Sequence, residues 1–356
     1  MPKELSNGRT RGLVERIALG AMVVLGAFLI VLALATNLPG KSAATGNMMT
    51  SFRPQMSDAA LAQGQTDQRT MAAMGQQLNS AMLPALAAKM HMTPAQMSAY
   101  IASNFPAVGK GSAQFGAILT NFGTLQASMQ AQQANYQQAD QIPTGFLPPS
   151  TMTWLFVVPG AALILLGVFG LVRPRVARPM LAVAGAVGLV IVSGLLAGSM
   201  FGKASSADQM TTAFKPVFAA QSAQQARADT NTVKAMAAEL TQKALPGLGT
   251  ALHMTPTQMS GLMSQQFPAV ATGVSQLPQI VQRMDAATSL IEGNVDNYNQ
   301  SASIPWTPGS MTLMVWLMMI PALLAIAFAA GGLLLAGRGT VAHVAAPRQA
   351  AGALHS

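Results

Sequence analysis

The chain has 356 residues, of which 51% are hydrophobic and 9% are charged, and its formal net charge is +9 at pH 7. A composition this apolar and this sparsely charged indicates a membrane protein. The absence of cysteine excludes disulfides, thiolate metal sites and cysteine nucleophiles.

The first element along the chain is an apolar segment that follows a basic tail. The tail covers residues 1–16, and residues 17–37 reach the roughly 20 apolar residues that a helix needs to cross a bilayer. The small-x-small pattern of Ala33-Leu34-Ala35 leaves open cleavage after Ala35, as in a signal peptide. Because the segment is long for the core of a signal peptide, we expect it to remain as the first transmembrane helix.

Residues 38–150 are predicted to form an outer helical domain, because Ala, Gln and Met dominate and alternating β-branched runs are absent. Within this segment, Thr93, Pro94 and Gln96 form the pattern of a helix start. Thr93 is the expected N-cap, Pro94 the first helical residue, and Gln96 the partner that completes a capping box. Methionines before the cap and at the fourth helical position have the spacing of a hydrophobic staple.

A long helix is predicted from about residue 107 to residue 139. Its apolar residues alternate between spacings of three and four, which is typical of a helix that packs along one side against another helix. The earlier segment around Met71 and Met74 is the expected partner. The apolar series consists of Phe115, Ile118, Phe122, Leu125, Met129 and Tyr136.

Two further spans are predicted at residues 151–172 and 179–201, joined by a short loop at residues 173–178. Trp154 lies at the start of the second span, where tryptophan favours the headgroup level of a bilayer. Pro159 lies inside that span and predicts a kink.

The second half of the chain repeats the first at a constant offset, equal to the separation of His91 and His253, which we call the repeat offset. Trp316 and Pro321 match the tryptophan and proline of the second span at this offset. The cap, the proline and the capping-box glutamine also return, as Thr255, Pro256 and Gln258. We interpret this register as a tandem duplication of a span, an outer domain and a span.

The duplication divides the second half as it divides the first. Residues 202–310 are the second outer helical domain, residues 311–336 the fourth span, and residues 337–356 a C-terminal tail. Pro278 predicts a kink or a later start for the long helix of this copy. Because each copy contains two spans, the repeats are expected to be parallel. The predicted fold class is therefore an all-α integral membrane protein with four transmembrane helices and parallel pseudo-twofold repeats.

The distribution of positive charge predicts the orientation. Lys and Arg concentrate in the two tails and the short loop between the second and third spans, and positive short segments favour the cytoplasm. We therefore place both termini in the cytoplasm of a cell membrane and both outer domains on the extracytoplasmic side, in the cell envelope. The same distribution accounts for the basic net charge, so nucleic acid is not an expected partner.

The sharpest candidate for chemistry is a soft-metal site, because thioether and imidazole ligands suit Cu(I). Capping and packing explain the same residues, and the spans contain none of the ionisable side chains that mark ion pathways. We expect no catalytic residue, no cofactor and no enzymatic activity. The candidate metal ligands are Met90, His91, Met92 and Met97 in the first copy and His253, Met254 and Met259 in the second.

Three functions stay open. The first hypothesis is a non-enzymatic scaffold or accessory subunit whose outer helices bind a second copy of the chain or other envelope membrane proteins. The alternative is a carrier or shuttle for a lipid or hydrophobic small molecule, held between the outer domains by adaptable methionine-rich surfaces. The third is a transmembrane sensor. In each case the lipid bilayer is a partner.

Overall fold

The computed structural model describes residues 2–142, 149–306 and 309–337, so most of the predicted C-terminal tail lies outside the described residues. The described part is all-helical and contains no strand. Its helices are α1 Pro2–Ala35, α2 Leu38–Phe52, α3 Asp58–Gln77, α4 Leu83–Lys89, α5 Pro94–Asn104, α6 Pro106–Ala139, α7 Trp154–Val172, α8 Ala177–Ala197, α9 Met200–Phe214, α10 Ala220–Glu239, α11 Leu245–Ala251, α12 Pro256–Gln266, α13 Pro268–Gly293, α14 Val295–Ser301 and α15 Met311–Gly337.

The first of two compact units contains the apolar helices. It consists of residues Met1–Ala43, Ala139–Asp208 and Ser301–Ser356. Among the described residues, four helical stretches are long and apolar enough to cross a membrane, which indicates a membrane protein. These stretches are Gly12–Ala35, Thr151–Val172, Pro174–Ala197 and Met311–Leu335.

Close glycine contacts pack the apolar helices in pairs, α1 with α7 and α8 with α15. A Cβ on Gly26 would overlap the Gly160 carbonyl oxygen, and a Cβ on Gly160 would lie 2.8 Å from the Gly26 carbonyl oxygen. In the second pair, a Cβ on Gly188 would lie 2.7 Å from the Ala322 carbonyl oxygen. Helix backbones that approach this closely tolerate only small residues, as is common for helices packed in membranes.

Large apolar side chains cover the outside of this bundle. Between 28% and 44% of the residues in the most apolar window of each span are buried. Val24, Leu165, Val190 and Leu334, one from each span, are between 68% and 72% exposed. In water such a surface would be unfavourable, whereas lipid acyl chains solvate it.

Two of the spans end earlier than the sequence predicts. Helix α1 ends at Ala35 and α8 at Ala197, not at residues 37 and 201. The reason is backbone conformation, since Asn37 and Ser199 both have φ of 51°, in the left-handed region that a right-handed helix cannot continue through.

Lysine side chains tie the two halves of the chain together within the first unit. The Lys41 ammonium donates to the carbonyl oxygens of Ser303 at 2.8 Å and Pro305 at 2.9 Å. Lys203, its counterpart at the repeat offset, donates to the Gln141 carbonyl oxygen at 3.4 Å. Burial lowers the pKa of Lys41 from its usual value.

The second unit combines both outer segments. It consists of residues Ala44–Gln138 and Gln209–Gln300, which the sequence had assigned to two separate outer domains. Met71 and Met74 share one hydrophobic core with Val233 and Leu277 of the second half. Helix α13 packs against both α3 and α10, so it contacts helices from both halves of the chain.

Side chains from each half also accept hydrogen bonds from backbone N–H groups at the start of the long helix of the other half. The Gln77 side-chain oxygen accepts from the backbone N–H groups of Ala269 at 2.8 Å and Val270 at 3.0 Å, at the start of α13. The Glu239 carboxylate accepts from the Val108 N–H at 2.9 Å, at the start of α6. These bonds satisfy N–H groups that have no partner within their own helix.

The long helices differ in length. Helix α6 runs unbroken to Ala139, whereas α13 ends at Gly293 and is followed by the separate α14. Pro278 does not delay the start of α13, which begins at Pro268, the counterpart of the first residue of α6. The break lies instead at Asn294, next to a glycine, where the Asn294 side chain donates to the Leu290 carbonyl oxygen. Gly and Asn are both poor helix formers.

Candidate functional site

The two histidines of the repeated motif end helices. His91 and His253 both have φ of 55°. The Met92 N–H donates to the Ala87 carbonyl oxygen at 2.8 Å, and the Met254 N–H donates to the Gly249 carbonyl oxygen at 2.8 Å. This is the Schellman arrangement, in which a left-handed residue closes the helix.

The threonines that follow start the next helices. The Thr93 hydroxyl accepts from the Gln96 N–H at 3.3 Å, and the Gln96 side-chain oxygen accepts from the Thr93 N–H at 2.8 Å. Thr255 and Gln258 make the same two bonds at 3.3 Å and 2.8 Å. Proline is the first residue of both α5 and α12, so the repeated motif is a complete helix stop and start.

The candidate metal ligands divide between the core and the surface. Met97 and Met259 are buried in the core, at 2% and 6% exposure, and Met90, Met92 and Met254 pack against it. Both motif imidazoles are exposed. In the described part of the chain, no group of three or more His, Cys, Asp or Glu side chains is arranged to hold a metal ion. The methionines of the motif therefore pack in or against the core, and its threonines and glutamines cap helices.

The aromatic and proline residues of the spans lie within the first unit. Trp154 is the first residue of α7 and is 62% exposed. Trp316 lies in α15, is 47% exposed, and contacts Phe201 edge to face at 5.0 Å between ring centroids. Pro159 and Pro321 lie inside α7 and α15.

An apolar cavity lies inside the second unit, where residues of both halves meet. Helices α2, α6, α9 and α13 supply most of its lining, together with the segments that follow α2 and α9. Three pairs of identical lining residues are separated by the repeat offset: Met48 and Met210, Phe52 and Phe214, and Tyr136 and Tyr298. We call this space the apolar cavity.

The apolar cavity is narrow. Its empty space, including the mouth, is about 620 Å³, but only about 40 Å³ is wide enough for water. Phe218 contacts three other rings of the lining: it stacks on Tyr298 at 4.6 Å and packs edge to face with Phe52 at 5.6 Å and Phe214 at 6.4 Å between ring centroids. The unbranched methionines nearby can change rotamer to admit a ligand.

The tyrosine hydroxyls do not present polar groups to the apolar cavity. Tyr136 donates to the Met49 carbonyl oxygen, and Tyr298 donates to the Thr211 carbonyl oxygen, both at 2.5 Å. Burial raises the pKa of Tyr298 to about 12. The lining therefore offers aromatic faces and thioethers, which favour apolar ligands.

A wider groove adjoins the apolar cavity in the same unit. The two spaces share the lining residues Leu125, Val217, Ala287 and Ile291. About 370 Å³ of the groove is wide enough for water, which lies within the range of about 300–1,000 Å³ for ligand pockets. Polar side chains lie on its walls, among them Asp229. We call this space the groove.

Sequence reasoning singled out Leu125, Met129 and Tyr136 among the cavity residues, but only as part of the long helix. The signal that could have found the site was the recurrence of Met48 and Phe52 at the repeat offset. That signal identifies repeated apolar positions without saying that they converge, because convergence depends on contacts between distant segments.

Comparison with known proteins gave no match: no protein-family model, no curated protein and no solved structure matches this chain. Function is therefore inferred from the apolar cavity and the groove.

Proposed function

We propose that this chain is a non-enzymatic integral membrane protein that binds a hydrophobic molecule, with the alkyl chain of a lipid as the leading candidate. The observation that carries the proposal is the apolar cavity, which is lined by thioethers and aromatic rings and shares four lining residues with the adjoining groove. Pockets of mainly apolar lining with a few polar groups are the usual form of small-molecule sites.

Burial of the apolar faces of the long helices favours this carrier function over a scaffold. Phe115 and Ile118 of the apolar series of α6, and Leu277 and Ile280 at the matching positions of α13, are all buried in the core of the second unit. Among the described residues, the large apolar side chains that are well exposed lie in the four spans, apart from Trp306. The outer helices therefore present no extended apolar face for a protein partner.

The proposal includes a tandem duplication with parallel repeats and the topology expected from charge. Its support is the matched geometry at the repeat offset: the paired helix boundaries, the paired left-handed residues and the paired helix-capping bonds. On this view both termini are cytoplasmic, and the second unit lies outside the cytoplasm, where its ligand exchanges with the bilayer.

Photolabelling tests the proposal directly. The full chain, purified in mild detergent, is exposed to an uncharged long-chain alcohol that carries a diazirine, and the labelled peptides are mapped. We expect label in peptides of α2, α9 and α13 in addition to the spans, because these helices line the apolar cavity. Label confined to the four spans would contradict the proposal.

Ala287→Leu and Ala228→Leu form a matched pair for this experiment. Ala287 lines both spaces, and its counterpart in the first half is Leu125, so the larger side chain narrows the site without being foreign to the fold. Ala228 is exposed on α10 of the same unit. We expect Ala287→Leu to reduce cavity labelling several-fold and Ala228→Leu to leave it unchanged. Equal labelling of the two variants would count against the site.

A further inference from the structure

Two matched aspartates in the second unit have different partners. Asp67, whose side chain is 3% exposed, accepts from Arg283 at 2.6 Å and 2.7 Å. Asp229, its counterpart at the repeat offset, accepts from Asn121 at 2.9 Å. A guanidinium therefore neutralises one carboxylate, while a neutral amide contacts the other.

The surroundings of the two carboxylates otherwise correspond position by position. Arg283 and Asn121 are themselves separated by the repeat offset. One turn before each aspartate a glutamine side chain donates to it, Gln63 to Asp67 at 2.8 Å and Gln225 to Asp229 at 2.7 Å. The two sites thus have a matching aspartate and a matching glutamine. The position that Arg283 occupies beside Asp67 is occupied by Asn121 beside Asp229.

Asp229 has no cationic partner in the described part of the chain. The nearest arginine in sequence, Arg227, is engaged by Glu292 and Asp285 at 2.5 Å and 2.7 Å, and its pKa is raised mainly by the hydrogen bond to Glu292. The Asp229 carboxylate accepts one hydrogen bond on each oxygen, both from neutral amides in an exposed setting, so no side chain offsets its charge as Arg283 offsets that of Asp67. The Asp229 carboxylate can therefore accept a further hydrogen bond, from a positively charged donor.

The position of Asp229 shows where such a donor would come from. Its side chain lies on the wall of the groove, together with Asn121 and Gln225. The groove shares Ala287 and Ile291 with the apolar cavity, so the two spaces adjoin, which is the arrangement that a molecule with an alkyl chain and a polar head group requires. The charge of the wall is complementary to a cation and unfavourable for an anion.

We propose that the groove binds the head group of a cationic amphiphile, a lipid or long-chain molecule that carries a primary ammonium. The ammonium donates to the Asp229 carboxylate and takes the place that Arg283 occupies beside Asp67. Asn121 and Gln225 hold the carboxylate in position from the protein side. This assignment rests on the proposed function, since it requires an alkyl chain in the apolar cavity.

Competition against the alcohol photoprobe tests the assignment. A long-chain primary amine, the matching alcohol and the matching carboxylic acid compete for labelling of the full chain at neutral pH, where the amine is protonated. We expect the amine to compete about tenfold better than the alcohol, the size of effect that one charge-assisted hydrogen bond supports. The acid should be the weakest competitor.

Three variants identify the group responsible. Asp229→Asn should remove the preference for the amine over the alcohol. Asn121→Arg recreates the arrangement beside Asp67 within the groove and should have the same effect. Asp296→Asn removes an exposed carboxylate of the same unit and should keep the preference, which controls for a general loss of negative charge.

The outcomes separate the two proposals. If the alcohol probe labels the cavity but amine and alcohol compete equally, or if Asp229→Asn retains the preference, the cationic head group is wrong and the apolar site stands. If no probe labels the cavity, the proposed function itself fails.

Discussion

The ion pair between Asp67 and Arg283 should hold the two halves of the second unit together. Removing the cation by Arg283→Met leaves a carboxylate that is 3% exposed and has lost contacts of 2.6 Å and 2.7 Å. Breaking a buried pair from one side costs about 3–5 kcal/mol. Because the Arg283 side chain is 40% exposed, water screens part of that loss, and we expect about 2–3 kcal/mol. A unit of this size should then melt roughly 5–10 °C lower.

Thermal unfolding of the full chain in detergent, followed by far-ultraviolet circular dichroism, measures this loss. The matched control is Asn121→Ala, which removes the corresponding contact to Asp229 and should cost under about 1 kcal/mol, because that bond lies in an exposed setting. The double variant Asp67→Asn with Arg283→Met should recover part of the stability, since no unpaired charge remains. Equal melting temperatures for Arg283→Met and Asn121→Ala would refute the reasoning.

Three further predictions concern the span packing, the helix start and the buried tyrosine. Gly26→Ala should destabilise the bundle by about 1–3 kcal/mol, because its Cβ would overlap the Gly160 carbonyl oxygen, whereas Gly20→Ala meets nothing within 4 Å and should be neutral in the same melting assay. Thr93→Ala should cost about 1 kcal/mol of unfolding free energy by removing a capping bond, and an unchanged denaturation midpoint would count against the cap. The raised pKa of Tyr298 favours the protonated folded state, so stability should be full below pH 10 and decline as pH rises from about 10 to about 12; Tyr298→Phe should remove that decline.

The spans and the helix start at Thr93 could be predicted from sequence because both depend on neighbouring residues. An apolar run of about 20 residues leaves few alternatives to a transmembrane helix. A threonine followed by proline and, at the third helical position, glutamine contains all the groups of its capping box. The ends of α1 and α8 are not apparent from hydropathy, because they are followed by left-handed residues at Asn37 and Ser199.

The packing of α13 on α10, the earlier segment of its own half, follows the prediction from sequence, but its second contact, with α3 of the other half, could not be predicted. The apolar spacing of α6 and α13 indicates that each has a packing face, but any helix with a complementary face fits it. The structure uses that face within a single core built from both halves, so the two expected outer domains are one unit. The spacing of apolar residues within one segment does not indicate which distant helix will cover its apolar face.

The sequence by itself determined that this chain is helical, that four segments are apolar enough to cross a membrane, and that its two halves share one pattern at a constant offset. Only the tertiary structure decided that Met48 and Phe52 meet their counterparts around one apolar cavity, and that Arg283 reaches Asp67 while Asn121 reaches Asp229. Local propensity and hydropathy act over short stretches of sequence, whereas side chains from distant parts of the chain are brought together only by the packing of the whole core.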